Sequence, residues 1–265
     1  MFRLTREVRF AVPAGGDPAW VVAGDNSFAA KPPVDGLCHY LTLSATITGD
    51  PLPDVGYIRN IKDVDVALRD DALPRVAAAI HDNTFGGGAN LVVSLFADLA
   101  DAFPGNPLAD VTLAFSPLTR LTTTAENPDM VRLTQSFEFA AGHRLHNPAL
   151  SDDENRRLYG KCNNPHMHGH NYIFEVTLQG RPRDDGRLID MADFERTVDE
   201  RVVDAFDHRN LNVEVEEFQD GEGGGLNPSV ENIAMVVYRR LKDALPMLAE
   251  VKVWETPKTS CAYSE

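Results

Sequence analysis

Residues 160–172 read GKCNNPHMHGHNY, and the apolar run IFEVTL follows at once. Side chains two apart on a strand point to the same side, so His168 and His170 can reach one ion if this segment opens a strand. Imidazole suits zinc, and a catalytic zinc keeps three protein donors with a fourth position open. The third donor must come from elsewhere. His143, in FEFAAGHRLHN just past a second strand expected over 131–140, is best placed, with His146 as the alternative. A solvated histidine loop is the plain explanation of such a cluster. Against it, six of the eight histidines fall between His143 and His208, and Cys162 shares the loop. The stretch reads as a metal site beside a thiol.

Composition sets the outer bounds. The chain of 265 residues carries a formal charge of −15, which disfavours a nucleic-acid backbone as partner, because that affinity is built from surface lysine and arginine. Three cysteines make an odd number in a chain too large to need staples, so reducing conditions are expected. The start MFRLTREVRFAV offers no signal peptide and no apolar run approaches a membrane span, so a cytoplasmic location without membrane contact is expected. Cys261, outside any motif, reads as core.

Outward from the motif, the chain repeats itself. FRLTREVRFAV near the start matches VRLTQSFEFAA from Val131, and HYLTLSATITG from His39 matches HNYIFEVTLQG from His170. Three more pairs follow in the same order: Gly56 with Gly186, Ala89 with Glu231, and Leu108 with Leu248. Five ordered matches predict two domains of one fold, 1–125 and 126–265, joined within TTTAENPDM at 122–130. Each copy reads as two alternating strands, two helices and two more strands. In the second copy the strands fall at about 131–141, 170–180, 249–255 and 259–264. Its second helix has Asn227 as cap, Pro228 at the first position, and Val230, Ile233, Ala234, Val237 and Leu241 on one face. Such an order suggests an α+β fold, an antiparallel sheet with helices on one face.

Five motifs in the second copy carry a resemblance: GHRL from Gly142, GKCNNPHMHGHNY from Gly160, FDHRNLN from Phe206, NPSVENIA from Asn227 and WETPKT from Trp254. This half resembles the 6-pyruvoyltetrahydropterin synthase family, including the related 6-carboxytetrahydropterin synthases. The resemblance implies the tunnelling fold (ββααββ), in which subunits join their sheets edge to edge into a barrel with active sites between subunits. It implies Zn2+ held by His143, His168 and His170, acting as a Lewis acid on the side-chain hydroxyls of 7,8-dihydroneopterin triphosphate. It further implies Cys162 as catalytic base, with Asp207 orienting His208 for proton transfer. Glu255 matches the carboxylate that grips the pterin ring, and Ser229 and Glu231 fall in a substrate-binding motif. Glu231 equally suits the positive end of a helix dipole. Phosphate contacts would fall to local cations such as Lys161, Arg144 or Arg209.

The product divides the family. Five residues separate Cys162 from His168, as in the pyruvoyl-forming type, but His166 creates a second register with three residues between, as in the carboxy-forming type. HGHNY anchors the ligands better at His168 and His170, so elimination of triphosphate to a 6-pyruvoyl product is expected. Cleavage to a 6-carboxy product, the queuosine route, and a non-catalytic pterin-binding role are the alternatives. No HExxH-type motif supports a zinc hydrolase. The first copy has Ala14, Leu37 and Phe115 where the second has His143, His168 and Glu255, and only His39 keeps a ligand position. One histidine cannot make a zinc site, so the first copy reads as degenerate, supplying barrel strands and a wall of the site. A homo-oligomer is implied, three chains replacing six single-copy subunits.

Overall fold

A computed structural model describes residues 1–13, 37–82, 86, 88–219 and 225–265. The chain divides into two compact units, one of Met1–Thr134 with Gln179–Leu188, the other of Gln135–Leu178 with Ile189–Glu265.

In the first unit, β1 (Phe2–Pro13) and β2 (Cys38–Gly49) form an unbroken antiparallel ladder from Phe2↔Gly49 to Pro13↔Cys38. Helical segments α1 (Ile61–Val66) and α2 (Leu73–His81) are joined through a π-helical stretch, Ala67–Ala72, and α3 (Ala89–Leu99) follows. Then come β3 (Leu108–Ala114) and β4 (Thr119–Thr124), in the sheet order β1-β2-β3-β4. Alternation puts Leu41, Leu43, Ala45 and Ile47 of β2 inside, and Val64, Leu68, Val76 and Leu95 of the helical segments are buried with them. The segment 122–130 is not a slack linker: only Ala125 and Glu126 separate β4 from β5 (Asn127–His143), and Pro128 lies within the strand.

The second unit takes β5 from Gln135 onward. It continues with α4 (Asp152–Tyr159), β6 (His168–Gly180), α5 (Met191–Val198), a π-helical stretch Asp199–Val203 and α6 (Asp204–Phe206). A two-residue strand β7 (Arg209–Asn210), a short α7 (Leu211–Glu214), α8 (Val230–Lys242), β8 (Leu248–Thr256) and β9 (Thr259–Tyr263) complete it. The sheet order is β5-β6-β8-β9, with β7 parallel to β5. Helix α8 buries Val230, Ile233, Ala234, Val237 and Leu241, the stripe expected from sequence.

Three expectations need correction. The cap of α8 is Ser229, whose side chain accepts from the Asn232 N–H, and Pro228 precedes the helix instead of opening it. Asn227 serves the neighbouring loop, its Oδ1 accepting the His146 N–H at 3.0 Å. Cys261 is half-buried rather than core, because β9 ends the sheet order with only β8 beside it. The coarse strand-helix grammar also missed α4, although its start, SDDE, is a capping box: Ser151 accepts from the Glu154 N–H and Glu154 reaches back to the Ser151 N–H.

Candidate metal and pterin site

Strand parity builds the site. Phe139 and Ala141 of β5, Tyr172, Phe174 and Val176 of β6, and Val251 and Val253 of β8 face the core, while Ile173 is 48% exposed on the opposite side. Continuing each inward series toward the strand end reaches His143 on β5, His170 and His168 on β6, and Glu255 on β8. Hydrophobic residues thus give way to donors where the sheet's buried face runs out. The aromatic layer beneath is tight, with the Phe139 and Tyr172 rings stacked at 4.9 Å and Phe206 edge-on to Phe139 at 5.3 Å.

One ring nitrogen from each of His143, His168 and His170 lies within 4.8 Å of the others. His143 is fully buried, and its Nδ1 lies 2.7 Å from the Pro228 carbonyl, which needs an Nδ1–H donor and so leaves the lone pair on Nε2. That Nε2 lies 3.0 Å from Nε2 of His168, a separation near that of two donors held tetrahedrally at about 2.0–2.1 Å from one zinc. Burial lowers the His143 pKa to about 4, the neighbouring imidazoles adding to the effect, so the ring is neutral at physiological pH. Burial and His170 likewise lower His168, while Glu255 pulls the other way. The buried Nε2 of His170 has no hydrogen-bond partner among the described residues. Three converging imidazoles, two of them held neutral, with an orphaned nitrogen among them, fit a zinc ion.

The loop geometry around the ligands is specific. Gly169 separates the two β6 histidines, and a Cβ there would sit 3.2 Å from the Ala141 carbonyl oxygen, a tight contact that would require β5 and β6 to give by a few tenths of an ångström. Met167, just before, adopts φ 67°, and the Asn210 Nδ2 rests 2.8 Å from its sulfur. Asn212 clamps the backbone after His143, accepting the Arg144 N–H at 2.8 Å and donating to the Arg144 carbonyl at 3.0 Å. Asn212 closes the FDHRNLN motif, but its role as a clamp was not assigned from sequence.

Glu255 stands beside the imidazoles, its Oε1 3.4 Å from His143 Nε2 and 3.7 Å from His170 Nε2. A cleft of about 700 Å³ opens here, lined by His170, Glu255, His208 and Arg209 among others. Asp207 and His208 follow α6. The Asp207 Oδ1 accepts the Ala140 N–H at 2.8 Å and its Oδ2 meets His208 Nδ1 at 2.7 Å, while the His208 N–H donates to the Ala140 carbonyl. These bonds hold His208 at φ 57°, a left-handed conformation rare outside glycine, and the Ala140 N–H followed by His208 keeps the Asp207 carboxyl below its ordinary range.

Cys162 sits apart from this pair. It lies in a 3-10 turn, Gly160–Asn163, after α4, half-buried, with its carbonyl accepting the Leu145 N–H, and it does not line the cleft. Burial and then the Glu255 charge push its thiol above the ordinary value. His166 is exposed and outside the imidazole group, whereas His146 is tied to Asn163 at 3.1 Å. Ser229 is committed to its cap, and Glu231 is exposed in the first turn of α8, near Cys261. Of the cations, Arg209 pairs with Glu214 at the cleft, Arg144 donates to the Asn163 carbonyl, and Lys161 is exposed.

Residues 132–265 match the family model described as 6-pyruvoyl tetrahydropterin synthase. The chain belongs to that family. The human 6-pyruvoyl tetrahydrobiopterin synthase is 36% identical over 135 residues, 50% of this chain and 90% of the relative. A probable 6-carboxy-5,6,7,8-tetrahydropterin synthase of Halobacterium salinarum is 32% identical over 157 residues, 54% of this chain and 93% of the relative. The solved Caenorhabditis elegans 6-pyruvoyl tetrahydropterin synthase is 36% identical, covering 51% of this chain and 96% of that one, with a TM-score of 0.48. These relatives bear the names of lyases.

In the first unit, Leu37 is 91% exposed and His39 exposed. Ala14 and residues 83–85, part of the IHDNTF segment with its rearranged Asp-His pair, lie outside the described residues. A separate cleft of about 880 Å³ is lined there by His39, Tyr40, Ile80, Phe115 and Arg120 among others.

Proposed function

We propose that the second half of the chain, 126–265, is a zinc-dependent pterin synthase that converts 7,8-dihydroneopterin triphosphate to 6-pyruvoyltetrahydropterin with elimination of triphosphate. The observation that carries this is the convergence of His143, His168 and His170 beside the Glu255 carboxylate, at the mouth of a cleft that His208 also lines. Zinc held by the three imidazoles would supply Lewis acidity, making the C–H bonds next to the bound side-chain hydroxyls more acidic. Glu255 offers two acceptor oxygens to adjacent pterin N–H donors. Cys162 takes the role of base, and Asp207 orients His208 to carry protons. The separation of Cys162 from the His208 side of the cleft agrees with active sites shared between subunits, the arrangement the family resemblance implies. Arg209 at the cleft and Lys161 and Arg144 near Cys162 are the cations available to the triphosphate.

The pyruvoyl product is favoured over the carboxy product by one feature: His166 lies outside the imidazole group, so the operative register is Cys162 to His168 with five residues between. The first half we take to be a degenerate copy of the same fold. Its support includes one matching irregularity. The β2–β3 ladder slips between Thr46 and Ile47, with Ile47 opposite Leu108, and the β6–β8 ladder slips between Thr177 and Leu178, with Leu178 opposite Leu248. These are the residues that the sequence repeat aligns, and bulges are retained as features of a fold. The Glu255 position is taken by Phe115 in the first cleft, which removes the carboxylate a pterin would need.

The test is to incubate the zinc-loaded protein with 7,8-dihydroneopterin triphosphate and identify products by mass spectrometry. A 6-pyruvoyl product with inorganic triphosphate is expected. A 6-carboxy product with acetaldehyde would move the protein to the other branch, and stoichiometric zinc without turnover would leave a binding role.

A further inference from the structure

Tyr172 is fully buried, yet its hydroxyl has no hydrogen-bond partner among the described residues. An orphaned buried hydroxyl is a standing cost to the fold, and phenylalanine would fill the same space without it. The surrounding layer consists of aromatic rings that ask only for an aromatic ring: Phe139 stacks on Tyr172, and the edges of His143 and His170 approach it at centroid distances of 6.1 and 5.6 Å. Packing therefore explains the ring and leaves the oxygen unexplained. Local violations of this kind concentrate at functional sites.

Register points to the missing acceptor. The β6–β8 ladder ends at Ile173 opposite Trp254, which leaves Tyr172 and Glu255 as the next residues of the two strands, Glu255 at an irregularity of β8 between Trp254 and Thr256 and beside the histidines. We propose that Tyr172 is a positioning residue for Glu255, its buried hydroxyl donating to the carboxylate when that group turns from the imidazoles to grip a pterin. In the structure, Glu255 leans on His143 and His170, leaving the hydroxyl unmatched. With the imidazole lone pairs engaged by zinc, the carboxylate would be free to face the ring edge of the pterin, and a buried donor behind it would hold the acceptor geometry. A phenol in its ordinary un-ionised form carries an O–H, so the hydroxyl acts as a donor toward a carboxylate.

This rests on the reading of the site as a pterin site, and the experiment separates the two. Neopterin binding to the zinc-loaded protein is measured by calorimetry for wild type, Y172F, E255Q and the double variant, alongside zinc affinity, Tm and, with dihydroneopterin triphosphate, kcat and KM. The Tyr172→Phe protein is expected to bind neopterin on the order of tenfold more weakly, with raised KM, unchanged zinc affinity, and a Tm equal to or above wild type. The double variant is expected to bind no worse than E255Q alone, because the hydroxyl acts through that carboxylate. Unchanged neopterin affinity in Y172F, a lowered Tm, or additive losses in the double variant would each overturn the role. Failure of the wild type to bind neopterin would overturn the pterin reading itself.

Discussion

His143 illustrates what burial does to a single residue. Its imidazole ordinarily titrates near 6.5 but here near 4, so the folded chain holds fewer protons than the unfolded chain between those values. The stabilisation is fully present above about pH 6.5 and is lost as pH falls toward 4, amounting to about 3 kcal/mol for this residue. Denaturant melts of zinc-stripped protein should show that slope, and His143→Asn should remove its share; an unchanged slope would mean that His143 does not hold its proton as the structure implies. At Cys162 the thiol is pushed up, not down, by burial and Glu255, so the chain by itself does not make a thiolate here. Cys162→Ala is expected to lower turnover on the order of 10²- to 10⁴-fold while zinc and pterin still bind. Unaltered turnover would remove Cys162 from the base role. The donor residues were legible in the sequence because their types and the His-x-His spacing are chemical statements. Asn212 lay inside the FDHRNLN motif, yet its clamp on Arg144 was not legible, since a backbone clamp has no signature beyond its contacts.

Among the elements, β6 and α8 carry the site. The strand needs Gly169 where a Cβ would press on the Ala141 carbonyl, so Gly169→Ala should force β6 from β5 and displace ligands on both sides of the substitution. A loss of zinc affinity of at least about tenfold is expected by chelator competition; wild-type affinity would show that the strands have slack. The helix contributes through its start. Ser229 caps α8 and thereby sets the Pro228 carbonyl that fixes the His143 tautomer. Ser229→Ala should cost about 1 kcal/mol of stability, read by chemical denaturation, with weaker zinc binding alongside it. Strands β5, β6, β8 and β9 and the apolar stripe of α8 were readable from their periods of two and of 3.6. The choice of Ser229 over Asn227 as cap was not, because both are good capping residues and only backbone geometry decides between them. Helix α4 was readable from SDDE, the capping box that opens it.

At the scale of the whole molecule, the proposed function asks for company. If active sites are shared between chains and each chain replaces two single-copy subunits, light scattering should return about three times 29.1 kDa for the active species. A monomer with full turnover would sink the shared site. Among the described residues no helix is long and apolar enough to cross a membrane. By itself, the sequence determined the family, the candidate donors and the strand pattern of the second half, because residue chemistry and side-chain parity are local properties written in spacing. Only the tertiary structure decided that His143 joins His168 and His170 while His146 and His166 do not. It alone set Glu255 beside them with Cys162 outside the lining of the cleft that His208 shares, and left the Tyr172 hydroxyl buried without an acceptor among the described residues. Those outcomes depend on where separate strands end relative to one another, which is fixed by packing and ladder register over tens of residues and by no short stretch of chain.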